Sequence, residues 1–529
     1  MPTKKSKHSL RFKRNTTKRC KKIKNKYKHK FIGGVSEEFG QKQSLLSQQL
    51  TNPVQRQSKM LNAVCNETTR GACLDFMSEY RTMIKNFFNN YYIKPRDKSP
   101  SYATTIKRIG NESSNGFVLQ VEYERDGYKS YSAIKINRKR DDKKHSDSLL
   151  YEYYVGINFI NHYLKVFPCF VETYKQLYFL NKPADHKFMF NITKNGIPFD
   201  STFKSHINED DNPERFTNDI NELVNNACKF GKQDSLAIML QHFDNFASFA
   251  DMADNHIDDI KYDIPNLTLQ IYFVLNALSS VYTHYDLHSN NVYLYKPYLG
   301  KKYILMNYHF KDGVVVSFPT EYIAKIIDYG RNYIYNPETK KNSKDFYSNL
   351  CMNCKAEECI SYDKNKDGVV SNLNMCGETT GVFLGEYPDD AYGSFYYINP
   401  SKKNASHDLR FASDPQVKNY FAPLSGMIPD HAINFLYREH YGTPERLTKS
   451  TAVKEINGKK RLDIIDVYSM TMFLKLTVNG WNDLKFNEWK TGQPDVKYNK
   501  YGKDWTKMGE MHVYEDQRPY EFIATAQTT

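Results

Sequence analysis

Apolar and polar positions change period several times along the chain. Residues 117–136 (FVLQVEYERDGYKSYSAIKI) alternate on either side of Asp126-Gly127, the period-2 pattern of a β-hairpin. Residues 146–165 shift to a helical period, with Leu149, Tyr153, Ile157 and Ile160 on one face. FPCFVETYKQLYFL (167–180) predicts a further strand pair, and SLAIMLQHF (235–243) a short buried strand. LTLQIYFVLNALSSVY (267–282) has the length and apolar face of a core helix. Residues 35–98 read as helical patches leading into the main domain. Residues 200–232 are polar and acid-rich, a surface excursion, and ADMADNHIDDIKYD (250–263) is polar again. Strands first and mostly helices after them predict two lobes with a cleft between.

Composition narrows this picture. The chain has 529 residues, 40% of them apolar and 14% aromatic, enough for a large core and too many for wholesale disorder. The net charge of +14 has an address, because residues 1–30 hold 14 Lys and Arg and no acid. Removing those 14 from 74 leaves 60 basic residues against 60 acidic ones, so the remainder is neutral. Residues 1–34 therefore read as a disordered basic arm that suits nucleic acid, an anionic surface or a nuclear address. The nine cysteines are irregularly spaced, and no apolar h-region follows the start. A reducing compartment and no signal peptide are expected. No window of 18 uncharged apolar residues occurs, so no membrane span is expected.

The richest candidate chemistry follows the core helix, at His284-Tyr285-Asp286-Leu287-His288-Ser289-Asn290-Asn291-Val292. A carboxylate there can accept the proton of an acceptor hydroxyl, and an amide five residues on can present oxygen to a magnesium ion on phosphates. Downstream, Ala324-Lys325-Ile326-Ile327-Asp328-Tyr329-Gly330 is an apolar strand ending in Asp-aromatic-Gly. Upstream, Ser132-Ala133-Ile134-Lys135-Ile136 places a lysine on a strand, and Glu152 follows 17 residues later on the predicted helix. Gly110-Asn111-Glu112-Ser113-Ser114-Asn115-Gly116-Phe117-Val118 lies between strand patterns, as a phosphate-covering loop would.

Each signal alone fits a bland alternative, such as a snorkelling lysine or a solvated glutamate. In this order they resemble the eukaryotic-type protein kinases from about Ile106 onward, in wording similar to serine/threonine kinases of giant DNA viruses. The resemblance implies an α+β, bilobal protein-kinase-like fold, with a small β-rich N-lobe over 101–243 and a larger helical C-lobe over 244–529. Insertions are expected at 200–232, as an enlarged hairpin at 295–323 with a turn near Asp312-Gly313, and as a long activation segment at 331–407. The basic arm and a helical extension over 35–100 precede these lobes.

By the same resemblance, Asp286 is the catalytic base, Asn291 and Asp328 bind Mg²⁺, and Lys135 holds the ATP phosphates while pairing with Glu152. Gly110 and Gly116 cover the phosphates, Val118 and Ala133 pack on adenine, and Gln241-His242-Phe243 form the hinge. The implied activity is transfer of the ATP γ-phosphoryl group to protein Ser/Thr hydroxyls, in host cytoplasm or virion.

Departures from the family pattern fall at three places. A serine stands where the middle glycine of the phosphate loop is expected, Tyr285 where an arginine usually precedes the catalytic aspartate, and His288 where these kinases place a lysine. The Asp-Leu-His wording is also that of aminoglycoside- and choline-kinase-like enzymes, so a small-molecule acceptor stays open. So does a catalytically dead, virion-associated nucleic-acid-binding protein. Either Asp408 or Asp466 can anchor the catalytic loop. Asp408 leaves a more reasonable length for the remaining helices, whereas Tyr441-Gly442-Thr443-Pro444-Glu445 favours the other register. Cys351, Cys354, Cys359 and Cys376 are a half-match to a structural zinc site, against free thiols. Asp363 to Gly368 imitates the start of a calcium loop but has Asn374 at its twelfth position.

Overall fold

A two-residue turn organises the first sheet. Asp126 and Gly127 both take positive φ, 52° and 81°, the pair of left-handed residues whose twist suits an antiparallel hairpin. Arg125 pairs with Tyr128 across it. The structure, a computed structural model, describes residues 84–88, 102–113, 116–137, 148–179, 196–198, 235–243, 245–343, 345–346, 403, 408, 411, 451–456, 459–464 and 500–525. The basic arm, the 200–232 excursion, the four clustered cysteines, the 363–374 segment and Asp466 lie outside the described residues.

The strands of this first sheet are Ala103–Ser113 (β1), Gly116–Arg125 (β2), Tyr128–Asn137 (β3), Thr173–Phe179 (β4), Ile197–Pro198 (β5) and Ser235–Gln241 (β6). Their order is β4-β6-β3-β2-β1-β5, all antiparallel. Alternation does the sorting: Phe117, Leu119, Val121, Ile134 and Ile136 are buried on one face. Helix Ser148–Val155 (α1) lies between β3 and β4 and runs on through a π turn over Gly156–Ile160. Of the helical patches expected before residue 100, the turn at 84–88 is described. Its Phe87 and Phe88 are buried, and Arg125 donates to the Phe87 carbonyl at 3.0 Å.

The expected strand pair at 167–180 is a single strand. Pro168 has no N–H to give a ladder, and residues 167–172 instead reach across the molecule, where Phe170 bridges to Ile326 and the Ile326 N–H donates to the Cys169 carbonyl.

Beyond residue 244 the chain forms Phe246–Ser248 (β7), Phe249–Asn255 (α2), Ile257–Ile260 (α3) and Ile264–Ala277 (α4). Short strands Tyr282–Thr283 (β8) and Val292–Tyr295 (β9) follow, then a hairpin of Lys302–His309 (β10) and Val315–Thr320 (β11). Next come Ile323–Ile326 (β12), Tyr333–Ile334 (β13), Thr451–Ile456 (β14), Lys459–Ile464 (β15), Thr506–Tyr514 (β16) and Glu521–Ala524 (β17). Where a mostly helical second half was expected, the described residues after 244 carry more strands than helices. The polar stretch 250–263 is helical: the Ser248 hydroxyl caps α2 by accepting the Asp251 N–H, and Ile260 is buried under α3.

Helix α4 is buried on nearly every side, as a helix apolar all round must be. Its Gln270 clamps β12, donating to the Tyr322 carbonyl at 3.1 Å and accepting the Ala324 N–H at 2.9 Å. The hairpin has its turn at Gly313, with φ of 85°. It is extended into a four-stranded sheet, because β16 pairs in parallel with β10 and β17 closes the edge. No helix of the described residues is long and apolar enough to cross a membrane. The fold is thus mixed, helices with several sheets: Lys135 sits on β3 of the first sheet, while Asn291 precedes β9 and Asp328 follows β12, which pair with each other.

Candidate active site

Strand alternation aims Lys135. On β3 it shares a face with Ala133, and Val118 lies directly opposite on β2. Its Nζ lies 2.6 Å from Glu152 Oε2 and 3.0 Å from Asp328 Oδ1. Glu152 comes from α1 and Asp328 from the turn after β12, so one ammonium group ties three separate elements. Burial alone would lower the lysine pKa, but the Asp328 and Glu152 charges outweigh it and hold the amine above its usual range. Glu152 is the drier carboxyl. Burial pushes it up to about 7, against the pull of Lys135. For Asp328 burial also pushes upward, yet Lys135, His284 and Arg331 together leave it below the ordinary carboxylate range.

The loop from 284 to 291 is held by backbone contacts. Tyr285 and Asp328 both adopt positive φ, 63° and 67°, a costly conformation for residues with side chains. Asp408 compensates at the first. Its carboxylate accepts the main-chain N–H of His284 at 2.7 Å and of Tyr285 at 2.8 Å. His284 bridges the two segments: Nε2 meets the Ile327 carbonyl at 2.9 Å, and Nδ1 accepts the Asp286 N–H at 3.2 Å. That pattern places the ring proton on Nε2, and burial depresses the imidazole pKa.

Asn291 Nδ2 donates to the Asp286 carbonyl at 2.8 Å, which commits the amide nitrogen and leaves Oδ1 as the side chain's acceptor. Asn291 Oδ1 and the Asp328 carboxylate are hard oxygen donors, of the type Mg²⁺ takes together with phosphate oxygens. They fit that ion. Among the described residues no group of three or more His, Cys, Asp or Glu is arranged to hold a metal by itself.

Gly110 has φ of 68° within β1, where the ladder to β2 is irregular between Ile109 and Ser113. Ser113 pairs with Gly116. The expected loop from Gly110 to Gly116 is therefore corrected to the tip of a hairpin, because residues 111–113 continue β1. Ala133 pairs with Leu240 on β6, which leads into Gln241, His242 and Phe243. The Gln241 N–H is already given to the Glu172 carbonyl at 2.8 Å. His242 is buried between the edges of Tyr131 and Phe246. Its pKa is pushed down to about 3, first by burial and then by Lys107. Phe243 packs on Tyr295, ring centroids 4.4 Å apart.

Two charged residues escaped the motif reading. Lys325 is fully buried, donates to the Pro168 carbonyl at 2.6 Å and lies 4.4 Å over the Phe243 ring. Only its place in an otherwise apolar strand could have flagged it. Arg331 Nη1 lies 3.6 Å from Asp286 Oδ1, and His288 Nε2 lies 3.9 Å from the same oxygen.

No protein-family profile matches the chain, and no curated protein matches it in sequence. Among solved structures it is similar to a Plasmodium kinase domain, 16% identical over 48% of this chain and 61% of that one, with a TM-score of 0.23. A score that low does not establish a shared fold, so the functional reading stands on the geometry above.

Proposed function

We propose that this protein is an ATP- and Mg²⁺-dependent phosphotransferase of bilobal protein-kinase-like fold, which passes the γ-phosphoryl group to Ser/Thr hydroxyls of proteins. The observation that carries the reading is Lys135 held jointly by Glu152 and Asp328. An amine fixed between two carboxylates from separate elements is well placed to receive phosphate oxygens, and the strained backbone at Tyr285 and Asp328 fits a site built for positioning. In this reading Lys135 binds the α- and β-phosphates, Glu152 orients it, and Asp286 takes the proton of the acceptor hydroxyl. Mg²⁺ held by Asn291 and Asp328 would neutralise charge on the phosphates. Val118 and Ala133 line the adenine side, and the chain at 241–243 edges it. Gly110 and Gly116, at the hairpin tip, cover the phosphates.

His288 supports a second acceptor class, a small-molecule alcohol, because it stands beside Asp286 where a lysine would favour a peptide. The basic arm supplies a contact for nucleic acid or an anionic surface, and host cytoplasm or virion is the proposed setting.

Nucleotide binding tests the reading before turnover does. MgATP and MgADP should raise the Tm of the wild type, and Lys135→Met, with a lower ligand-free Tm because Glu152 loses its partner, should lose most of that nucleotide-dependent increment. No nucleotide-dependent shift in the wild type would contradict the proposal.

A further inference from the structure

Among the described residues, His288 and Arg331, two groups of different chemistry, approach Asp286 Oδ1. His288 Nδ1 accepts the Asn290 N–H at 3.2 Å, so its ring proton sits on Nε2 and the imidazole is uncharged in that arrangement. Arg331 brings a guanidinium cation instead. Arg331 is the third residue after Asp328, and its side chain is 42% exposed. Its backbone is fixed. The adjacent Asn332 is buried, with its carbonyl accepting the Tyr151 hydroxyl from α1 and its amide donating to the Tyr282 hydroxyl on β8.

The contact to Asp286 is long. A guanidinium with an architectural role frequently pairs with a carboxylate through two parallel hydrogen bonds. Here one nitrogen stands 3.6 Å away, and among the described residues the guanidinium makes no hydrogen bond. The side chain is anchored at its root and loosely held at its tip, near Asp286 and close enough to Asp328 for its charge to be felt there.

We propose that Arg331 is a catalytic residue, its guanidinium moving from Asp286 onto the non-bridging oxygens of the γ-phosphoryl group during transfer. This rests on the phosphotransferase reading. In the step, the acceptor O–H gives its proton to the Asp286 carboxylate and a new bond forms from that oxygen to Pγ. The bond from Pγ to the β,γ-bridging oxygen breaks, and its electron pair stays on the departing ADP. Charge on the three non-bridging oxygens is what a cation brought against them stabilises. Arg331 thus supplies a permanent positive charge beside His288, which has one only when protonated.

The test compares wild type, Arg331→Ala and Arg331→Lys in γ-phosphoryl transfer, with a Tm readout that needs no turnover. Arg331→Ala should lose about 10²–10³-fold in kcat, the range for deleting one transition-state donor, with KM for ATP changed by less than about threefold. Added guanidinium ion should restore part of the loss, and Arg331→Lys should be intermediate. Fluoroaluminate, which with MgADP mimics the transferring group, should raise the wild-type Tm above that with MgADP alone. Arg331→Ala should keep the MgADP shift and lose the increment. Transfer by wild type with an Arg331→Ala kcat within about threefold would overturn this inference and leave the phosphotransferase reading standing. A wild type that neither transfers phosphate nor responds to nucleotide would overturn both.

Discussion

The carboxylate of Asp408 accepts the main-chain N–H of Tyr285 at 2.8 Å, across 123 residues of sequence. Tyr285 has φ of 63° and is fully buried, so the loop carrying Asp286 is held in a conformation it would not keep alone. Asp408→Asn turns an amide toward the two N–H donors and removes a charged acceptor. A loss of about 1.5–3 kcal/mol is expected in urea unfolding, the range for hydrogen bonds to charged groups. Phosphoryl transfer should fall with it, and nucleotide-induced stabilisation should persist. Unchanged stability in Asp408→Asn would show that the loop is held by something else.

Gly156 opens the π turn that follows Glu152. A Cβ there would lie 2.1 Å from Thr173 Oγ1 and 2.6 Å from Thr173 Cβ, so α1 and β4 meet at a point with no room for a methyl group. Gly156→Ala must push α1 away from the sheet and carry Glu152 from Lys135. The expected outcome is about 1–3 kcal/mol of destabilisation, typical of overpacking, with weakened MgATP stabilisation. Thr173→Gly in the same chain should recover part of both, and no recovery would place the effect elsewhere.

His242 gives the fold an acid sensitivity. Burial holds its folded pKa near 3, below the roughly 6.5 of an exposed imidazole. A neutral buried histidine contributes its stability in full above about pH 6.5. That contribution is lost as the pH falls from there toward 3, because only the unfolded chain takes up the proton. In His242→Gln this slope disappears. The difference in unfolding free energy between wild type and variant should shrink by about 1.4 kcal/mol per pH unit from 6 to 4, read by urea titrations. Parallel pH curves would contradict it.

The segment after Lys500 is welded to α4 and the hairpin. Lys500 Nζ pairs with Asp263 Oδ2 at 3.1 Å and with Glu321, and the Tyr501 hydroxyl donates to Asp263 Oδ1 at 2.6 Å. Asp263 is completely buried. Lys500→Ala strands that carboxylate, and about 3 kcal/mol of stability should be lost, as when a buried ion pair loses one partner. Lys500→Arg should retain most of it. A change below about 0.5 kcal/mol in the alanine variant would refute the role given to this cluster.

The parts of the site legible in sequence are those whose chemistry and secondary structure are local. Lys135 sits in an alternating strand, Glu152 on a helical face and Asp328 after an apolar run, so their elements could be read directly, and the distances join them. The β2–β3 hairpin was legible because Asp126-Gly127 states its own turn. Parallel pairing of β10 with β16 is settled by contacts some 200 residues apart, which no local period reports. Residues 167–172 look like a strand by composition, yet Pro168 and the reach to Ile326 give their hydrogen bonds another destination. The 250–263 segment is polar because most of its positions face solvent, with Ala250, Ile260 and Asp263 the buried ones. Arg331 and Lys325 belong to no pattern of spacing, and only their neighbours in space give them a role.

We propose that Asp286, Lys135 and Asp328 form a phosphoryl-transfer centre. Its most direct test is Mg²⁺-dependent transfer from γ-labelled ATP by wild type and Asp286→Asn, alone and with a mixed protein panel, read alongside nucleotide-induced Tm shifts. Label on Ser or Thr is expected with wild type, at least a hundredfold less with Asp286→Asn, and equal nucleotide shifts in both, since Asp286 acts on the acceptor. Equal labelling by the two proteins, or no labelling and no nucleotide shift in the wild type, would contradict it.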